Sequence, residues 1–197
     1  MKTGDFFDIL TPLVLIPLYW LLYRLDPRKP FTLPEIFLFM VLATFWVEGQ
    51  GMHLSANSID HLLKATGGDA YTLTFFYDEV LSHYLWHVGI VGLSALLFWR
   101  QWRNPLSQPV IVWPAILAGI IYGLFFFTGV IEAGTAPLGI SAAVFFTIFG
   151  GLRARDMKER PLIVFLLSAF TAATLFFIVW AIIWGGLPQF SEIGLMN

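Results

Sequence analysis

Long apolar runs alternate with short polar clusters along the chain and divide it into six stretches. A hydrocarbon core of roughly 30 Å takes about 20 apolar residues per helix. The runs predict helices at about 6–23, 34–64, 71–99, 110–131, 137–152 and 161–184. Asp26-Pro27-Arg28-Lys29-Pro30 stops the first, and Pro34 suits the opening turn of the second. Thr66-Gly67-Gly68-Asp69 turns the chain into the third, which ends before Arg100, Arg103 and Asn104-Pro105. The tail from Pro188 to Asn197 reads as short and interfacial. No long linker, repeat or low-complexity tract interrupts the pattern. Residues 1–197 are therefore expected to form a single all-α domain, a bundle of six transmembrane helices.

Composition ties that pattern to the bilayer. Hydrophobic residues make up 58% of the chain and charged residues 12%, against about a quarter charged in soluble domains. Such a chain cannot cover a water-facing surface with polar groups, whereas helices in lipid satisfy their own backbone hydrogen bonds. The 17% aromatic content fits Phe against lipid and Trp or Tyr at the interfaces. A net charge of −2 gives no footing for nucleic acid, and the absence of cysteine excludes disulfides, Cys-ligated zinc and iron–sulfur clusters. The opening Met-Lys-Thr-Gly-Asp-Phe-Phe-Asp carries two acids and lacks a signal peptide's basic region, so the first apolar segment is expected to be a permanent helix.

Charge also orients the bundle. Arg24, Arg28, Lys29, Arg100, Arg103, Arg153, Arg155, Lys158 and Arg160 fall after helices one, three and five, and only Lys2 and Lys64 fall on the other side. Lys and Arg favour the cytoplasmic face. Both termini are thus expected outside, in the periplasm of a bacterial plasma membrane or an equivalent space.

Helix two is apolar from Ile36 to Val47 and then reads Glu48-Gly-Gln-Gly-Met-His53-Leu-Ser-Ala-Asn57-Ser-Ile-Asp60-His61. Helix three carries Asp78, Glu79, His83 and His87 before turning apolar at Val88. All four histidines lie in these two stretches. Both polar halves lie toward the outer face, and Glu132 marks the outer end of helix four. In an antiparallel hairpin, residues at equal depth have nearly constant index sums, which pairs Glu48 with His87, His53 with His83, and Asn57 with Glu79. A rise of about 1.5 Å per residue puts the first pair roughly 20 Å from the inner helix ends. At about 100° per residue, Glu79, His83 and His87 share an arc of roughly 80°, and His53, Asn57, Asp60 and His61 form a matching stripe. Glu48 points about 140° from His53 in a regular helix; only loosening at Gly49 and Gly51 would bring it in. Asp78 and Ser82 fall off the histidine stripe unless the helix entrance is irregular.

This pattern suits a metal. His83-x-x-x-His87 sets two imidazoles on adjacent turns, and His53 on the facing helix would be a third ligand, leaving a position for water. Zinc, favoured over iron or copper, would lower the pKa of that water to about 7. Glu79 or Glu48 would act as general base or orient an imidazole. Asn57, Asp60, His61, Asp78 and Glu132 are secondary candidates. The bland alternative has the histidines hydrogen-bonded across helices, Glu48 paired with Gln50 or His87, and Gly49, Gly51 and Gly89 serving close helix packing. An acid well inside a bilayer usually faces a cavity or a partner.

The segment His83-Tyr-Leu-Trp86-His87-Val-Gly-Ile-Val-Gly92 resembles the H-x-x-x-H helix of the CREST membrane hydrolases, the group of alkaline ceramidases, progestin-receptor-type and haemolysin-III-like proteins. The resemblance covers about a dozen residues. In that family the pair lies on the last of seven helices, with a further histidine and acids from earlier helices; here it lies on the third of six. The resemblance implies zinc-hydroxide attack on a lipid amide or ester.

Three functions follow. The first is a metal-dependent hydrolase of a lipid-like substrate from the outer leaflet. The second is a haem-, quinone- or pigment-binding redox subunit, since two facing histidines can ligate one haem iron. The third is a proton-coupled carrier or assembly subunit built on buried acids. Each has the bilayer as partner, and a small bundle also suits a homo-oligomer or a membrane-complex subunit.

Overall fold

The computed structural model describes residues 3–26, 29–65 and 67–195, with the side chains of residues 3–8, 61 and 154 outside that description. Its helices are α1 (Thr3–Tyr23), α2 (Leu33–Leu63), α3 (Gly68–Phe75), α4 (His83–Arg103), α5 (Trp113–Glu132), α6 (Ala136–Gly151) and α7 (Pro161–Trp184). A π-helical segment, Phe76–Ser82, joins α3 to α4, and a 3₁₀ segment, Ala154–Glu159, precedes α7. There is no strand among the described residues.

The chain is an all-helical integral membrane protein. Four helical stretches are long and apolar enough to cross a bilayer: Leu33–Asp60, Gly68–Arg103, Trp113–Glu132 and Pro161–Trp184. The shorter apolar stretches are Ile9–Tyr23 and Ala136–Gly151. At 16 residues, α6 rises about 24 Å, short of the hydrocarbon core. Six crossings, with both termini outside, remain the reading of the sequence; length and composition qualify four among the described residues. Leu13, Phe37, Phe125 and Ile182 are exposed, as side chains that meet lipid must be.

The helices group into two compact units, Met1–Leu93 and Ser94–Asn197. In the first unit, Thr32 caps α2: its backbone N–H donates to Glu35 Oε2 at 2.9 Å while the Glu35 N–H donates back to Thr32 Oγ1. This reciprocal arrangement satisfies two backbone donors that the helix itself leaves open. Against α1, Trp46 meets Tyr19 edge-on at 5.9 Å, and Tyr23 stacks on Phe31 and Phe39. Trp46 and Tyr23 are each 1% exposed, so these rings anchor the α1–α2 hairpin.

In the second unit, α5 and α7 pack through Gly119-x-x-x-Gly123. A Cβ on Gly119 would stand 2.8 Å from Ser168 Cβ and closer still to the Phe165 carbonyl. Small residues replace the hydrophobic drive that lipid does not supply between helices. Phe146 stacks on Phe170 at 4.4 Å between α6 and α7. The N-terminus of α7 is capped from a distance, because Gln101 Oε1 accepts from the backbone of Leu162 and Ile163. Arg160 donates to the carbonyls of Gln101 and Trp102, and Arg153 lies over the Trp102 ring at 4.1 Å. Part of the basic cluster that orients the chain therefore also ties this end of the unit together.

Candidate functional site

The site grows from the close approach of α2 to the helical rod Gly68–Arg103 in the first unit. A Cβ on Gly49 would stand 2.6 Å from the Ser82 carbonyl and nearer to the Trp86 backbone, and one on Gly89 would stand 2.7 Å from the Trp46 nitrogen. Both glycines are there because backbone meets backbone. Gly51, by contrast, has nothing within 4 Å of such a Cβ and faces open space.

Where the rod passes this contact it widens into the π segment. In a π-helix the carbonyl of residue i bonds residue i+5, so residues five apart come toward one face, whereas the α period separates them by about 140°. Asp78 and His83 are five apart, and both reach His53 on α2. His53 Nδ1 lies 2.8 Å from Asp78 Oδ1, with side-chain exposures of 19% and 5%. The His53 and His83 rings lie 4.8 Å apart at 42°. Irregularity at this point of the rod is what brings Asp78 into the centre; a regular helix would have turned it away. Ser82, fully buried, donates its hydroxyl to the Asp78 carbonyl.

Hydrogen bonding assigns the tautomer of His83. His83 Nδ1 lies 3.1 Å from the Glu79 backbone oxygen, which can only accept, so that nitrogen carries the proton. His53 Nδ1 and Asp78 Oδ1 are within ion-pair distance at 2.8 Å, but not in hydrogen-bond alignment. In a neutral His83 the lone pair then resides on Nε2. An imidazole whose Nδ1–H is held by a carboxylate or a carbonyl is the usual partner arrangement of a metal ligand, and equally of a general base.

The remaining candidates distribute as follows. His87 is 3% exposed and stacks on Trp86 at 5.1 Å, with the planes 10° apart. Glu79 is half-buried and contributes its carbonyl to His83. Helix α2 stays regular past Gly49 and Gly51, so Glu48 is not turned inward, and its side chain is exposed. The inward polar residue at this level is Gln50, 1% exposed, whose Oε1 accepts from Trp46 Nε1 at 2.9 Å. Glu48 is thus not Gln50's structural partner. Asn57 and Asp60 are half-buried near the end of α2, and the side chain of His61 lies outside the described residues. Glu132 belongs to the second unit, where its Oε2 accepts from the backbone of Phe190 at 2.9 Å and Ser191 at 3.3 Å. Its carboxylate holds the C-terminal tail.

No three His, Asp or Glu side chains converge to hold a metal ion among the described residues. What the structure brings together is two imidazole rings and a buried carboxylate. The residue that periodic reading set aside is Asp78. No helical wheel could recover it, because the wheel assumes the period that the π segment breaks.

No family model matches the chain, and no solved structure does. Among curated proteins, it is 25% identical to the human ceroid-lipofuscinosis neuronal protein 6 over 91% of its own length and 63% of that protein's. It is 26% identical to the dog homolog of that protein over 66% of its own length and 47% of the relative's. The chain therefore spans less than two thirds of the length of these relatives. A match covering 91% of the chain necessarily includes residues 48–87, which lie far from both ends. The relatives' names state no reaction and no ligand.

Proposed function

We propose that the Asp78–His53–His83 centre is the working site of a membrane-embedded hydrolase acting on a lipid-like amide or ester. The observation that carries this reading is the 2.8 Å pairing of the buried Asp78 with His53, opposite the His83 ring. A buried carboxylate in a membrane helix is costly and usually marks function. Asp78 stabilises the protonated form of His53, so Nε2 takes a proton from water as the water attacks an acyl carbon, and returns it to the leaving alcohol or amine as the acyl C–O or C–N bond breaks. That is the division of labour of a general base and its orienting acid. His83, held by the Glu79 carbonyl, supplies the second imidazole, and the half-buried Glu79 is the nearby carboxylate for proton exchange.

A second reading is favoured by the close approach of the two imidazoles, with His83 Nδ1 held by the Glu79 carbonyl. His53 and His83 would hold a divalent metal, zinc by preference, through Nε2, with His87 one turn further along α4 as the candidate third ligand. The metal would supply a water of lowered pKa. The 4.8 Å ring separation supports either of these over haem, because a porphyrin plane between two trans imidazoles holds the rings further apart. The Lys and Arg distribution supports a site facing away from the cytoplasmic side of its membrane.

The test is hydrolysis of a fluorogenic acyl ester by detergent-purified protein, with and without a chelator, alongside metal analysis. The wild type should hydrolyse the ester, with His53→Gln reducing the rate by about 10²–10⁴-fold. Wild type and His53→Gln both matching a protein-free control would sink the proposal. Loss of activity on chelation, restored by zinc, selects the metal reading. Unchanged activity with less than roughly a tenth of an equivalent of metal selects the Asp–His reading, since a resident ligand set of this kind should fill near one equivalent.

A further inference from the structure

The first unit holds a second feature that hydrolysis at the polar centre does not use. Helix α1 carries Pro12 and Pro17 within its length, and each removes a backbone donor and disturbs the helix ladder. Beside them lies a cavity of about 440 Å³, lined from α1 by Ile9, Pro12, Leu13 and Pro17 and from α2 by Gln50 and Leu54, among others. Ligand pockets run from about 300 to 1,000 Å³, so the space is of molecular size.

Gln50 is the polar residue of that wall. The Trp46 indole is a donor only, so it must meet Gln50 Oε1, as it does at 2.9 Å. This fixes the orientation of the amide. Its Nε2 is then buried without a hydrogen-bond partner among the described residues, although Gln50 is 1% exposed. Buried polar groups are almost always satisfied, and an exception calls for an explanation. Water serves poorly, since it needs two to four polar partners and this wall is apolar elsewhere. What fits is a long apolar molecule bearing an isolated acceptor. In a bilayer, an ester-linked acyl chain combines those two features.

We infer that the α1–α2 cavity binds an ester-linked acyl chain of a bilayer lipid, with the ester carbonyl accepting a hydrogen bond from Gln50 Nε2. The chain fills the space beside Pro12 and Pro17. Gln50 lies in the polar half of α2, three residues from His53, which suits the carbonyl end of a lipid better than its methyl end. This inference does not depend on any reaction at His53.

The test uses the full chain in phosphatidylcholine vesicles doped with a photoactivatable phosphatidylcholine in two forms, diester and diether, which differ in the carbonyl. In the wild type, diester adducts should concentrate on peptides covering residues 9–17 and 47–54. They should exceed diether adducts by about five- to tenfold, the effect of one hydrogen bond. Gln50→Leu keeps the wall apolar and should bring the two forms within about twofold of each other. Leu13→Trp, at a 65% exposed position, should fill the cavity and cut adducts at these peptides for both forms. Adducts spread evenly over all helices, or a diester preference unchanged in Gln50→Leu, would overturn the inference. If Gln50→Leu does not fold, as judged by circular dichroism and size exclusion, Leu13→Trp decides: undiminished adducts overturn the site.

Discussion

Removing His53 should cost more stability than removing Asp78, and removing both should cost less than the sum. The asymmetry comes from what each change leaves behind. His53→Ala leaves Asp78, whose side chain is 5% exposed, as a carboxylate without its partner, and breaking a buried pair from one side costs about 3–5 kcal/mol. Asp78→Ala leaves an imidazole that can stay neutral. Two facts moderate the first figure. The His53 side chain retains 19% exposure, which admits some screening. Interhelical hydrogen bonds in membrane proteins also average only about 0.6 kcal/mol and reach about 1.7. The expected losses are therefore about 2–3 kcal/mol for His53→Ala and about 1–2 for Asp78→Ala, with a coupling of about 1.5 kcal/mol between them. The assay is a double-mutant cycle on detergent-purified protein, unfolded by added SDS and followed by circular dichroism after reversibility is shown. A coupling below about 0.5 kcal/mol, the scatter of independent sites, would refute the pairing. So would a larger cost for Asp78→Ala than for His53→Ala, because the buried carboxylate would then not be the group that needs its partner.

Three further expectations follow from packing and capping. Gly49→Ala forces a Cβ against the Ser82 carbonyl and Trp86 backbone and should destabilise by about 1–3 kcal/mol. Gly51→Ala meets nothing within 4 Å and should be neutral or stabilising by up to about 1 kcal/mol; equal effects of the two in thermal melts would contradict the α2–α4 contact. Gln101→Leu uncaps Leu162 and Ile163 at the start of α7 and should cost about 1–3 kcal/mol, read as faster amide exchange in the first turn of α7. Glu132→Ala frees the backbone of Phe190 and Ser191; limited proteolysis should then cut sooner near residues 188–195 than in the wild type.

The sequence by itself determined the elements. Apolar run length and the intervening Pro, Gly and charge clusters place the helical stretches close to where they form, because a chain in lipid must satisfy its own backbone hydrogen bonds and does so as a helix. Thr32, Pro34 and Glu35 together mark the start of α2, where the structure has its reciprocal cap. Index pairing likewise set His53 opposite His83, since depth in a hairpin depends only on rise per residue. Direction around the helix was another matter. Periodicity correctly turned Glu48 away, because α2 stays regular, but it also turned Asp78 away, because the period fails in Phe76–Ser82. Only the tertiary structure shows that failure. Its other decisions came from the same source: Gly49 is a contact rather than a hinge, Gln50 is buried with an unpartnered amide nitrogen, and Glu132 serves the tail. Each depends on which surface a neighbouring helix covers, and that is set by the packing of segments far apart along the chain.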